Sequence, residues 1–107
     1  MMRCPCETPP FEGAQFAQTV LGVDETAGRF ADVTVLRCQQ CQALWLHYSW
    51  EVEGISRSGR WYRGRVKDPV GATLTPTDAA RVLESLPDYF CGGSYFQGKI
   101  HVARGKL

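Results

Sequence analysis

Apolar and polar residues alternate most clearly in the segment ALWLHYSWEVEG, which covers residues 43–54. Every second position is apolar and would share one face of an extended chain: Leu44, Leu46, Tyr48, Trp50 and Val52. The positions between them would share the opposite face: Trp45, His47, Ser49, Glu51 and Glu53. Because the side chains of a β-strand point alternately to its two faces, this pattern predicts a strand with one buried face and one more polar face.

Three other segments have the composition of strands. The segment RWYRGRVK (60–67) follows GISRSG, whose two glycines fit the turn of a hairpin. Upstream, ADVTVLRC (31–38) is rich in β-branched residues, which favour strands. The segment AQFAQTVLGV (14–23) is compatible with a helix or a strand, and the turn-like DETAGRF that follows it favours a strand. We therefore expect two hairpins.

A helix is predicted in LTPTDAARVLESLP, residues 74–87. Thr75 fits the N-cap position and Pro76 the first helical position. Apolar residues follow at helical spacing, and Pro87 ends the segment because it cannot continue a helix.

The remaining chain is predicted to be less regular. Residues 1–13 are proline-rich and predicted as a loop, and DYFCGGSYFQG (88–98) as a glycine-hinged loop. KIHVAR (99–104) is predicted as a short edge strand, after which the last three residues should fray. Together the elements predict one α+β domain over residues 1–107, with an antiparallel sheet of four or five strands (two hairpins plus a short C-terminal strand) and one helix.

Length and composition limit the classes of protein that this chain can belong to. A chain of 107 residues can form one modest hydrophobic core. It has no apolar run near the 18 residues that a membrane span needs, so we expect no membrane association. The first residues, MMRCPC, lack the apolar stretch of a secretory signal, which predicts a reducing, cytoplasmic location.

Two pairs of cysteines are the strongest candidates for chemistry. The two-residue spacing in Cys38-Gln39-Gln40-Cys41 lets a tight turn aim both sulfurs at one ion, and the first hairpin would bring the chain before residue 14 towards Cys38. We therefore predict that one Zn²⁺ is held by four thiolates: Cys4, Cys6, Cys38 and Cys41. Arg3 and Arg37 each precede a pair and would soften its negative charge.

This arrangement resembles the zinc ribbon, a fold with paired-cysteine zinc knuckles. The likeness covers residues 4–67, where the CxC and CxxC pairs flank the two predicted hairpins. It implies that the zinc is structural and that the sheet binds nucleic acid or protein. The chain differs from the usual ribbon pattern in its CxC spacing and in Gln42, which stands where a glycine commonly follows the second pair.

Other interpretations of these residues stay open. The cysteines could be ordinary reduced thiols, or Cys38 and Cys41 could form a redox pair, although Cys38 lies at a strand end rather than at the start of a helix. Cys91 is expected to be a buried thiol or a replacement ligand. His47 and His101 are expected on strand surfaces, where each could serve as a ligand or a general base.

The stretch SRSGRWYRGRVK favours nucleic acid because cations alternate with aromatic residues that could stack on bases. The opposing interpretation is a solvated hairpin whose charges pair with Glu51 and Glu53 and whose Trp61 packs in the core. The formal charge of +1 becomes slightly negative once four thiolates bind Zn²⁺, so overall charge does not favour nucleic acid. The candidate binding residues are Trp45, Arg57, Arg60, Trp61, Arg63 and Arg65.

No catalytic constellation can be assembled from the sequence. We therefore expect a cytoplasmic, non-enzymatic, zinc-stabilised domain that binds another protein, in its specific form an immunity- or antitoxin-type protein that masks its partner with an aromatic sheet face. The two alternatives are a nucleic-acid-binding zinc ribbon and a CxxC thiol oxidoreductase.

Overall fold

A computed structural model of the chain describes residues 5–7, 16–52, 54–67 and 74–107. Its strands are β1 (Phe16–Asp24), β2 (Ala31–Cys38), β3 (Leu44–Trp50), β4 (Arg60–Val66), β5 (Tyr89–Gly92) and β6 (His101–Ala103). One α-helix, α1, covers Ala79–Ser85, and short 3₁₀ turns lie at Pro5–Glu7, Thr26–Gly28, Pro76–Asp78 and Ser94–Phe96. In the part of the chain so described, no helix has the length and apolar character needed to cross a membrane.

The strands form one antiparallel sheet in the order of the chain, from β1 to β6. Each strand therefore pairs with its sequence neighbours, as in successive hairpins. The antiparallel sheet and the short helix fit the predicted α+β class, and both predicted hairpins are present. The prediction of four or five strands is wrong, because the described residues alone form a sheet of six strands.

The strand that the sequence hides is β5, which lies inside the segment predicted as a loop. It pairs with β4 on one side and β6 on the other, with Tyr62 opposite Cys91 and Cys91 opposite His101. Gly92 made this segment look irregular, but the glycine is required by packing: a Cβ there would lie 2.6 Å from Cζ2 of Trp61. A glycine in a strand often marks such a close approach.

The helix is shorter than predicted. Thr75 is extended, as an N-cap residue should be, and its hydroxyl donates to the Asp78 carboxylate at 2.7 Å. A 3₁₀ turn then precedes α1, which ends where Leu86 becomes extended directly before Pro87. The residue before a proline is disfavoured in helical geometry, which explains the boundary.

The helix covers one face of the sheet and forms the main core with it. The close approach of α1 to β4 is possible because Gly64 has no side chain, and a Cβ there would lie 2.7 Å from Leu83 and 2.4 Å from Leu86. The buried core residues come from both layers: Ala31, Val33, Val35, Leu44, Leu46, Tyr48, Tyr62, Val66, Ala79, Ala80, Leu83, Tyr89 and Cys91.

The C-terminal residues are tied to this core, contrary to the predicted fraying. The hydroxyl of Tyr89 donates to the carbonyl oxygen of Gly105 at 2.9 Å. The amide of Leu107 donates to the Glu84 carboxylate at 3.1 Å, and its side chain packs against the core.

A buried carboxylate links the end of β1 to the middle of the sheet. Asp24 is fully buried and accepts hydrogen bonds from the Tyr48 hydroxyl at 2.5 Å and from the Thr26 amide and hydroxyl. Burial works to raise the pKa of Asp24, but the hydrogen bonds and the charge of Arg29 hold it below its ordinary value. Asp24 is therefore a charged anchor that the fold depends on.

The Tyr48→Phe variant should lose about 1.5–3 kcal/mol of unfolding free energy, as expected for a hydrogen bond to a charged group. Because the folded pKa of Asp24 is depressed, its contribution is present above the unfolded pKa of about 4 and is lost as the pH falls through the folded value. Denaturant titrations between neutral pH and about pH 3 should show a smaller loss of stability in Tyr48→Phe than in the wild type, because protonation of the proposed metal ligands contributes equally to the acid dependence of both proteins.

The matched control is Tyr89→Phe, which removes hydroxyl bonds to neutral backbone carbonyls. It should cost about 0.5–1.5 kcal/mol and leave the acid dependence intact. An equal acid dependence in Tyr48→Phe and the wild type would contradict the role given to Asp24.

The second face of the sheet, opposite α1, is buried at one end only. A smaller apolar cluster lies there, made of Cys6, Phe16, Leu36, Cys38, Ala43 and Trp45, with Phe90 packed against it. The sequence pattern gave this face a polar character, which is wrong for Trp45, because its side chain is only 4 % exposed. The turn at Pro5–Glu7 brings Cys6 into this cluster, so both faces of the sheet are buried at this end.

Candidate metal centre

The connection between β2 and β3 forms a tight knuckle that carries two of the cysteines. The amide of Cys38 donates to the carbonyl of Ala43, and the amide of Gln42 donates to the carbonyl of Cys38, both at 2.9 Å. Cys38 is the last residue of β2, and Cys41 lies in the turn. The knuckle is therefore closed by backbone hydrogen bonds before any metal is considered.

Gln42 takes the backbone geometry that a glycine would supply. Its φ of +66° lies in the left-handed region, which glycine enters without steric cost. The guanidinium of Arg37 donates to the Gln42 carbonyl at 3.2 Å, and the Gln42 side chain donates to the Gln39 carbonyl at 3.4 Å. Local hydrogen bonds thus accompany a left-handed turn residue at Gln42 although no glycine is present.

The turn at Pro5–Glu7 brings a third cysteine to the knuckle. The Sγ atoms of Cys6, Cys38 and Cys41 all lie within 4.8 Å of one another, and those of Cys6 and Cys41 are 3.5 Å apart. Tetrahedral zinc with Zn–S bonds near ~2.3 Å places its sulfurs roughly 4 Å apart, so the three are close enough to bind one metal ion. Cys6 and Cys38 are fully buried and Cys41 is exposed. Cys4, the other predicted ligand, lies outside the described residues.

An ion pair ties the N-terminal turn to the sheet. The Arg65 guanidinium of β4 donates to the Glu7 carboxylate at 2.7 Å, directly after Cys6 in the chain. Both side chains are partly exposed, so the pair is expected to contribute only ~0.2–1 kcal/mol. The pair therefore adds little to holding the turn that carries Cys6.

Neither Cys91 nor a histidine joins the three cysteines, as far as the described residues go. Cys91 is buried in the main core, on the face of the sheet that α1 covers, where burial raises the pKa of its thiol. His47 stacks on Trp61 with ring centroids 5.9 Å apart, and burial, together with the charge of Arg63, lowers its pKa to about 4. His101 is exposed in β6.

The six candidate binding residues are placed in different environments. Trp45 lies in the smaller apolar cluster. Arg65 pairs with Glu7, and Arg60 lies over the rings of Trp50 and Tyr95 at 4.9 and 3.8 Å.

The structure brings Arg57, Arg60 and Trp61 to open clefts. Arg60 and Trp61 line a cleft of about 1080 Å³ that also includes Phe30, His47 and Ser49. Arg57 and Trp61 line a neighbouring cleft of about 900 Å³. Arg57 is exposed in the turn after β3, with a φ of +58°.

Arg63 also lies beside the cysteine cluster, where the sequence analysis expected cations at Arg37, which lies at the knuckle, and at Arg3, which is outside the described residues. The side chain of Arg63 is 6 % exposed, and its guanidinium carbon lies 4.2 Å from the Phe16 ring centroid and 5.7 Å from that of Trp45. Burial lowers the pKa of Arg63 to about 10 while the neighbouring Cys6 acts to raise it, so the group stays charged at neutral pH. Strand alternation could have indicated this, because Arg63 and His47 are opposite one another in β4 and β3.

Comparison with known proteins adds no relative to this picture. No family model, no curated protein and no solved structure matches the chain. The likeness to zinc ribbons therefore depends on the paired cysteines and on the sulfurs that the fold brings together.

Proposed function

We propose that the chain is a small zinc-stabilised domain that acts by binding another protein. The observation that carries the metal part is the convergence of the Cys6, Cys38 and Cys41 sulfurs within 4.8 Å. Soft thiolate ligands in a tetrahedral arrangement select zinc over the hard divalent cations. In this proposal Cys4, two residues before Cys6, supplies the fourth sulfur.

The zinc of this proposal is structural. Four thiolates complete a tetrahedral shell and leave no position for a water molecule or a substrate. The complete burial of Cys6 and Cys38 supports this role, because a substrate could not reach a metal through these ligands. The ion would join the N-terminal turn to the β2–β3 knuckle and so hold the smaller apolar cluster closed.

The proposed protein partner is supported by the exposed apolar side chains around the open part of the sheet. Phe30 is 65 % exposed, lines the large cleft and has a φ of +51°, a costly conformation for a bulky aromatic residue. Strain in an exposed aromatic at the edge of a cleft is typical of a binding contact. Val20 and Val23 are further large apolar side chains exposed on β1. An immunity- or antitoxin-type protein that masks its partner is the specific form of this proposal.

The two other candidate functions receive less support from the geometry. A nucleic-acid surface needs its cations free to reach phosphates, but Arg63 is buried and Arg65 pairs with Glu7. A redox pair usually lies at the start of a helix, whereas Cys38 ends a strand and is followed by a turn.

The metal part is tested by elemental analysis of protein purified without acid or chelator. One zinc per chain is expected, with thiols that become reactive when a chelator removes it. Protein without zinc, or zinc that leaves without a change in thiol reactivity, would refute a structural site. Insulin reduction by the purified chain would instead favour the oxidoreductase.

The binding part is tested with Phe30→Gly, which removes the aromatic ring and suits the left-handed backbone, so the fold should be retained. In its native extract the wild-type chain should cross-link to a partner protein, and this cross-link should be absent with Phe30→Gly. It should be kept with Val102→Ser, which alters an equally exposed side chain on the edge strand β6. Salt-dependent binding of single-stranded RNA or DNA, unaffected by Phe30→Gly, would favour the nucleic-acid alternative.

A further inference from the structure

A buried cation lies next to the cysteine cluster. Removing a charge from water is costly unless an opposite charge accompanies it. The cation is Arg63, which is 6 % exposed on the face of the sheet opposite α1. Its guanidinium lies against Phe16 and Trp45, two aromatic members of the apolar cluster that contains Cys6 and Cys38.

We infer that Arg63 is a positioning residue of the metal centre. The fixed positive charge of its guanidinium balances the negative charge of the metal–thiolate cluster on the Cys6 side of that cluster. This inference rests on the zinc site proposed above. Zn²⁺ bound by four thiolates carries a net charge of −2, and such a cluster is costly inside an apolar environment. A guanidinium held close to Cys6 reduces that cost without occupying a coordination position.

The surroundings of Arg63 fit arginine better than any other cation. Its guanidinium is planar, keeps its charge over the whole physiological pH range and packs on aromatic faces. The Phe16 ring, 4.2 Å from the guanidinium carbon, and the Trp45 ring hold it in place from β1 and β3. The second arginine of this face, Arg65, pairs instead with the Glu7 carboxylate, so the two arginines of β4 make different contacts.

The test compares the zinc affinity of Arg63→Gln with that of Arg65→Gln, measured by competition with a chromogenic chelator. Groups that support metal ligands from outside the coordination shell typically change affinity by about 10–100-fold, and a loss of that size is expected for Arg63→Gln. Arg65→Gln removes the same charge two residues further along β4 but from a half-exposed ion pair, so its affinity should stay within about threefold of the wild type.

Two further readouts separate a charge effect from a packing effect. Arg63→Lys keeps the charge and should recover most of the affinity lost in Arg63→Gln. In Co²⁺-substituted protein, Arg63→Gln should shift the thiolate-to-cobalt charge-transfer bands, whereas Arg65→Gln should leave them unchanged. If Arg63→Gln does not fold, Arg63→Met replaces it as the neutral variant, because its unbranched side chain keeps an apolar contact with Phe16 and Trp45; a loss of affinity that Arg63→Lys does not share supports the inference.

Equal affinities for Arg63→Gln and Arg65→Gln would overturn the inference, as would a loss in Arg63→Lys as large as that in Arg63→Gln. Failure of the underlying proposal has a different signature, because the wild type itself would then hold no zinc.

Discussion

Cys38→Ser should release the zinc and unfold most of the chain at 25 °C. Structural zinc in small domains contributes an apparent ~10–16 kcal/mol at neutral pH, whereas a domain of this size has a total stability of only about 5–15 kcal/mol. In the proposed four-thiolate site, the loss of one ligand removes enough of this energy to release the N-terminal turn, open the cluster around Trp45 and unfold the chain. Far-UV circular dichroism and zinc content measure the outcome, and a chelator should produce the same change in the wild type.

The matched control is Cys91→Ser, which alters another buried thiol on the opposite face of the sheet. It places a hydroxyl in an apolar core and should cost about 1–3 kcal/mol, but the zinc content should stay at the wild-type value. A folded Cys38→Ser protein with unchanged stability would refute a structural role for the metal, whatever its zinc content.

Gly93→Ala should destabilise the fold by about 2–5 kcal/mol. Gly93 has a φ of +110° and a ψ of −178°, a combination that is accessible essentially to glycine only. A Cβ there would lie 2.6 Å from the carbonyl oxygen of Gly59 and 3.0 Å from Cα of Arg60. Both contacts are with backbone, which cannot move aside as the end of a side chain can, so strain adds to overpacking.

The control for Gly93→Ala is Gly98→Ala in the same loop. Gly98 also has a positive φ, of +76°, but a Cβ there would meet nothing within 4 Å. Gly98→Ala should therefore lower the unfolding free energy by only about 1–2 kcal/mol, the cost of a left-handed conformation for a residue with a Cβ. Denaturant titration measures both variants, and the midpoint should fall further for Gly93→Ala at an unchanged slope. Equal losses for the two variants would show that the contact with Gly59 is unimportant.

The close contact at Gly93 also explains the geometry of the open clefts. The amide of Tyr95 donates to the Gly59 carbonyl at 2.8 Å, and the hydroxyl of Ser94 bonds to both backbone groups of Gly59. The loop after β5 is thereby fixed against the start of β4, beside Trp61. Gly93→Ala should consequently alter the clefts as well as the stability.

Elements that depend on local pattern were predicted well. The alternation of apolar and polar residues around Leu46 and Tyr48 correctly predicted β3, because the apolar positions are those whose side chains the main core buries. The β-branched residues of β2 and the short hairpin turns gave the neighbours of β3. Three of the four predicted ligands were brought together because antiparallel pairing of β1 and β2 returns the chain to Cys38, with Phe16 directly opposite it.

The sequence by itself determined the antiparallel hairpins, the helical segment ended by Pro87 and the cysteine pairs, since each is encoded within a few neighbouring residues. Only the tertiary structure decided that β5 joins the sheet and that Trp45 and Arg63 are buried. Both outcomes depend on which groups cover the sheet. The indole of Trp61 packs over Gly92 in β5, and the turn that carries Cys6 packs on the face of the sheet opposite the helix. Contacts between residues far apart in the chain set these burials, and no local pattern of apolar and polar positions reports them.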